Sequence, residues 1–128
     1  MKIFSAKYIV PISSEPVPDG AVAVDGEKIV GVGKKQELIK DHPSAAIDDF
    51  GEAAILPGFV NCHSHLELTV MRGFLDHLDD DFSSWLITLT KTRAEHLGKS
   101  DIETSATLGA LEGARSGVTC FGDIGRYG

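Results

Sequence analysis

The chain has 128 residues, 42% of them hydrophobic, and a formal net charge of −7. That length suits one modest domain with enough apolar residues to bury a core, and no compositional bias points to disorder. The acidic balance excludes the clustered Lys and Arg that non-specific binding to nucleic acid or to an anionic membrane needs, and two cysteines are too few for a disulfide scaffold.

The start, MKIFSAKYIV, has one early Lys and a short apolar stretch broken by polar residues, so it does not read as a signal peptide. No apolar run approaches the ~18 residues of a membrane span, and a reducing cytoplasm is the simplest compartment. Lys2 to Ile12 is rich in β-branched and aromatic residues and reads as a strand ending at Pro11. Ser13 to Gly20 is a Pro-rich turn region. Ala21–Val24 and Lys28–Val32 are apolar runs flanking Asp25-Gly26, a hairpin signal for a type I′ turn. A short helix is predicted over Lys35–Lys40, stopped by Pro43, and Ile47–Ile55 is a turn followed by another strand. Ala53–Val60 is nearly continuous in apolar residues, as in a strand buried on both faces of a parallel sheet or barrel.

Beyond residue 80 the period changes. Phe82, Trp85, Leu86, Leu89, Arg93 and Leu97 fall three and four apart, which predicts a helix with one inward face, capped by Asp81 or Ser83 and ended by Gly98. A second helix follows, with Ser100 and Glu103 as a capping box, Ile102, Ala106, Leu108, Leu111 and Ala114 as its buried stripe, and Gly117 past its end. Val118–Phe121 is a short strand. Strand, helices, strand is the grammar of a βαβ unit with a parallel sheet. The acidic cluster Asp76, Asp79, Asp80 and Asp81 reads as a solvated loop.

The chemistry sits at Asn61-Cys62-His63-Ser64-His65, directly after the apolar run. Side chains two apart on a strand share a face, so the two imidazoles converge. Neutral imidazole is a common ligand for zinc and divalent iron. A bare His-x-His fits equally well two unrelated polar residues at a strand end. Glu67 follows closely and either touches substrate, supports a ligand or is a plain loop carboxylate. Arg72 either meets an anionic substrate group or, more commonly for such a residue, forms a structural ion pair. Asp123, after the last strand, is a weaker candidate for supporting the site. Cys62 alternates away from the histidines and is expected to be a small buried thiol. His42, His77 and His96 have no partner spacing and read as surface residues.

The stretch Leu56-Pro57-Gly58-Phe59-Val60-Asn61-Cys62-His63-Ser64-His65-Leu66-Glu67 resembles the first metal motif of the amidohydrolase superfamily, which marks the end of the first strand of a (β/α)₈ barrel. The preceding Val24–Gly33 pattern resembles the small β-sandwich flanking that barrel. Leu68–Gly73 and Phe82–Leu86 are similar to the metal-dependent deaminase and chlorohydrolase branch, and Gly117–Asp123 resembles the second barrel strand. The resemblance implies an α/β fold, with residues 1–56 as a β-sandwich portion and residues 57–128 as the first strands and helices of an incomplete barrel. It implies one divalent metal, zinc or iron, held by His63, His65 and residues outside this chain. It also implies hydrolytic deamination of a small cyclic or nucleoside-like substrate by metal-activated water.

A full (β/α)₈ barrel takes ~250 residues, and zinc ordinarily wants at least three protein ligands. The 128-residue chain alone is therefore expected to be inactive, a fragment whose open surfaces are covered by homo-oligomerisation or by the remainder of a barrel. Two other readings stay open. One is a binuclear cyclic amidase of the dihydroorotase or hydantoinase type, which commonly has an Arg where this chain has Leu66-Glu67-Leu68. The other is a non-catalytic β-rich interaction fragment with a vestigial motif.

Overall fold

The computed structural model describes residues 1–78 and 81–125; Asp79 and Asp80 of the acidic cluster lie outside them. The fold is mixed α/β and divides into two compact units, Met1–Pro57 and Gly58–Gly128. Among the described residues, no helix is long and apolar enough to cross a membrane.

The first unit contains β1 (Lys2–Ile9), β2 (Val17–Asp25), β3 (Lys28–Lys34), α1 (Lys35–Asp41), β4 (Ala46–Asp49) and β5 (Ala54–Ile55). The sheet order is β3-β2-β1-β4, with β5 also on β1. The first three strands are antiparallel, and β4 and β5 run parallel to β1 at Lys2–Ser5 and Tyr8–Ile9. They act as one interrupted strand, turned at Gly51 with φ +61, a conformation that favours glycine.

Three local expectations change. Strand β2 starts at Val17, inside the expected turn region, because Pro18 lies opposite Tyr8 beyond the last β3 partner, Gly20–Lys34. A missing N–H costs no ladder bond there. The hairpin loop is Gly26-Glu27, with positive φ at Gly26 and not at Glu27, the sign pattern of a type II′ turn rather than I′. The expected strand Ala53–Val60 is two strands: β5 stays on β1, and Leu56-Pro57-Gly58 interrupts the ladder, since Pro57 has no N–H to donate.

Helix α1 covers one face of the sheet. Leu38 packs with Ile3, Ala21 and Ala23, and it fits because Gly31 has no side chain: a Cβ there would lie 2.8 Å from Leu38 Cδ2. On the other face Ala6, Ile9 and Val22 meet Val17, Val24, Ala53 and Ile55.

Lys35 links the start of α1 to the sheet edge through Asp49, Nζ to Oδ2, at 2.7 Å. This bond, with the Gly51 N–H donating to Asp49 Oδ1 at 3.1 Å, lowers the Asp49 carboxyl from its usual 3.8 to about 2. A depressed carboxyl stabilises the fold above its unfolded pKa, and that contribution fades as pH falls from about 4 towards 2. The pair is exposed, so the effect is small and weaker in salt. Lys35→Met is expected to flatten the loss of urea midpoint between pH 4 and pH 2; a slope identical to that of the unmodified chain contradicts it.

The second unit contains β6 (Phe59–Ser64), 3₁₀ turns at Leu66–Met71 and Asp76–Leu78, α2 (Phe82–His96), α3 (Lys99–Arg115) and β7 (Val118–Asp123). Strands β6 and β7 pair in parallel, joined through the helices. The Asp81 side chain caps α2 by accepting from the Ser83 N–H at 3.0 Å. Helix α3 begins at Lys99, so its cap is Gly98 with Asp101 and not Ser100 with Glu103. The Asp101 carboxylate accepts from the Gly98 N–H at 2.9 Å, and Gly98 O accepts from the Asp101 N–H at 3.1 Å.

The core of this unit is Met71, Leu75 and Leu89, with Leu68, Leu78, Trp85 and Leu97 against it. Phe82 and Leu86, expected on the inward face of α2, are exposed, because Leu89 and Trp85 are the residues that pack against the two 3₁₀ turns. The inward stripe of α3 is also not the expected one. Leu108 and Leu111 are exposed, and Ser105 is buried with Gly109 and Gly113 on its side. Close approach decides this: a Cβ on Gly109 would lie 2.5 Å from Thr69 Oγ1, and one on Gly113 2.3 Å from Phe121 Cζ. Phe59 and Val60, expected to be buried on both faces, are 58% and 60% exposed. Among the described residues β6 has only β7 beside it, and α3 packs on the first 3₁₀ turn and β7.

Candidate metal centre

The β6–β7 register slips between Asn61 and Ser64, so Cys62 and His63 occupy a bulge. Strand β6 ends at Ser64, which leaves His65 one residue beyond it, at φ −130° and ψ 74°. Strict strand alternation therefore does not place the two histidines. Their rings nevertheless come together, with centroids 5.2 Å apart and planes at 73°. Both are exposed. The Asn61 side chain holds the bulge by accepting from the His63 N–H at 3.2 Å.

The pair suits a divalent cation. With metal–nitrogen bonds of ~2.0–2.1 Å and a tetrahedral angle, two ligating rings have centres about 5 Å apart. Two neutral imidazoles are also a suitable donor set for zinc or divalent iron. Among the described residues, no cluster of three or more His, Cys, Asp or Glu side chains is placed to hold a metal.

Glu67 lies in the first turn after His65 and is 4% exposed. Its Oε1 accepts from Arg93 of α2 at 3.2 Å and lies 4.0 Å from His65 Nδ1. Among the described residues its Oε2 has no hydrogen-bond partner. Sequence reasoning set Arg93 on the inward face of α2 without its partner; a charged residue within an apolar stripe was the available signal.

Arg72 is not drawn to the imidazoles. It makes a two-pronged ion pair with Glu112 of α3, which holds the Glu112 carboxyl below its ordinary value. One recess runs between the 3₁₀ turn and α3, lined by Asn61, Ser64, His65, Thr69, Arg72 and Glu112 among others. Cys62, expected to be buried, is exposed: it lies in the bulge, on a strand flanked only by β7 among the described residues. The backbone N–H of His42 donates to Leu38 O past the end of α1, while His77 and His96 are exposed.

Residues 20–45 match the model of the imidazolonepropionase-like composite domain of bacteria. The chain is 35% identical over 108 residues to the 5-methylthioadenosine/S-adenosylhomocysteine deaminase of Nitratidesulfovibrio vulgaris, covering 84% of this chain and 24% of that protein. It is similar in structure to the Helicobacter pylori aminofutalosine deaminase in complex with methylthio-coformycin, at TM-score 0.75 and 25% identity, over 96% of this chain and 29% of that one. It is also similar to the atrazine chlorohydrolase of Arthrobacter aurescens TC1 complexed with zinc, at TM-score 0.78 and 25% identity, over 94% and 28%. The family-model match, the deaminase relatives and the structural neighbours support a fragment of the amidohydrolase superfamily. Within that class the chain is similar to deaminases and to a chlorohydrolase. The chain spans about a quarter of the length of the curated relatives it matches.

Proposed function

We propose that this chain supplies the first two metal ligands, His63 and His65, of an enzyme that hydrolytically deaminates a small cyclic or nucleoside-like substrate. The observation that carries the proposal is the pair of facing imidazoles at the end of β6. In this reading residues 57–128 are the opening strands and helices of a (β/α)₈ barrel, and residues 1–56 are part of a β-sandwich beside it. One divalent ion, zinc or iron, supplies Lewis acidity that makes water nucleophilic near neutral pH.

The residues present have defined tasks in this proposal. His63 and His65 bind as neutral imidazoles. The buried Glu67–Arg93 pair anchors the turn that carries His65. Glu67 also enters as a substrate contact, since one of its oxygens has no partner among the described residues. Arg72 enters as a second contact at the rim of the recess, where an anionic substrate group has to compete with Glu112. Two imidazoles fall short of a catalytic zinc site, so the 128-residue chain alone is expected to be inactive, and homo-oligomerisation or the remainder of a barrel covers its open faces.

The test is ammonia release from adenosine-type nucleosides by the product of the gene that encodes this chain. Activity should disappear with a chelator and return with zinc. Deamination that withstands complete removal of metal overturns the proposal.

A further inference from the structure

The backbone from Ser64 to Leu66, on either side of His65, is held by groups from β7, α3 and the following 3₁₀ turn. Asp123, at the end of β7, accepts through Oδ1 from the Leu66 N–H at 2.9 Å and from the Ser64 hydroxyl at 3.2 Å. The Ser64 carbonyl accepts from the Ile124 N–H at 2.8 Å. On the other side Ser105 of α3 is 1% exposed. Its hydroxyl donates to the Leu66 carbonyl at 3.1 Å and accepts from the Val70 N–H at 2.9 Å. Thr69 Oγ1 also donates to Leu66 O, at 2.9 Å. His65 lies outside the β6 ladder, so strand pairing does not fix its backbone, and these bonds fix it instead.

We infer that Asp123 is a positioning residue for the metal centre: its carboxylate oxygen, shared between Ser64 Oγ and the Leu66 N–H, sets the backbone angle that turns the His65 ring towards His63. The inference rests on the proposed metal-binding reading of His63 and His65. A ligand free to swing pays ordering entropy each time it binds, whereas a clamped one does not. Groups that orient metal ligands typically change affinity about 10–100-fold when removed. Asp123 touches neither ring in this account. It acts through the main chain, and an amide oxygen does the same work as a carboxylate oxygen.

The test is a zinc titration of the 128-residue chain, followed by NMR at the His63 and His65 rings, with hydrogen exchange of the Leu66 amide read in parallel. Asp123→Ala should weaken zinc binding about 10-fold and speed Leu66 exchange. Asp123→Asn, which keeps an acceptor at the same place, should stay within about 3-fold of the unmodified chain. Ser64→Ala, which leaves the Leu66 bond in place, should fall between the two and decides the matter if Asp123→Ala does not fold. Equal weakening by Asp123→Ala and Asp123→Asn points to carboxylate charge and overturns the inference, as does unchanged affinity in a folded Asp123→Ala or Ser64→Ala chain. If the unmodified chain shows no zinc response at either ring, the metal-binding reading fails and takes the inference with it. A zinc response in the unmodified chain that Asp123→Ala leaves untouched sinks the inference alone.

Discussion

Replacing His63 by Ala is expected to abolish metal-dependent deamination in the gene product and to remove the zinc response of the His65 ring in the 128-residue chain. His63 and His65 supply neighbouring donors on one short stretch of backbone, with rings 5.2 Å apart. Losing one leaves a single imidazole, which cannot chelate. Groups that merely orient ligands account for about 10–100-fold in affinity, so loss of a ligand itself should exceed about 100-fold. Far-UV circular dichroism should not change, because the His63 side chain is exposed and packs under nothing in the core. Unchanged turnover in a folded His63→Ala protein excludes a metal role for this residue. The same variant separates the enzyme reading from a vestigial motif in a non-catalytic fragment, for which no metal-dependent turnover exists to be lost.

Gly122→Ala is expected to destabilise the second unit by about 1 kcal/mol, the balance of two opposed effects. Alanine is favoured over glycine in a strand by about 0.5–1 kcal/mol. Against that, a Cβ at 122 would lie 2.7 Å from Cys62 O and 3.0 Å from Cys62 C. These are backbone atoms of the facing strand, so no side-chain rotation relieves the clash, and overpacking of this kind costs about 1–3 kcal/mol, occasionally more. The strand that must give way is β6, immediately before His63. The loss of urea midpoint should therefore come with a shift of the His63 ring resonances. Gly113→Ala is the informative comparison. Its Cβ would meet the tip of the Phe121 ring, which can turn aside, and alanine gains about 1 kcal/mol in a helix. Gly113→Ala should therefore be close to neutral, and a Gly122→Ala chain as stable as Gly113→Ala would show that β6 and β7 separate readily.

These two glycines mark the limit of what periodicity reveals. The apolar spacing of α3 pointed to Leu108 and Leu111 as its inward residues because a sequence pattern weights bulk. The fold chose Ser105, Gly109 and Gly113, since the 3₁₀ turn and Phe121 leave no room there for a bulky apolar side chain. The cap of α3 moved from Ser100 to Gly98, where the Asp101 carboxylate accepts from the Gly98 N–H.

The sequence by itself determined the features that depend on neighbouring residues. These are the hairpin at Gly26, the stop at Pro43, the strand–helix–helix–strand order of residues 59–123, and the pairing of two imidazoles with an apolar strand. Only the tertiary structure decided which of the later candidates gather near them. Glu67 meets Arg93, 26 residues away, and Leu66 meets Asp123, 57 residues away, while Arg72 is drawn off to Glu112. Local conformation and donor chemistry are properties of a few adjacent residues and can be read from their order. Burial of a carboxylate, the fit of a glycine and the aim of a ring past a strand's end depend on what the rest of the chain brings alongside, and no local pattern encodes that.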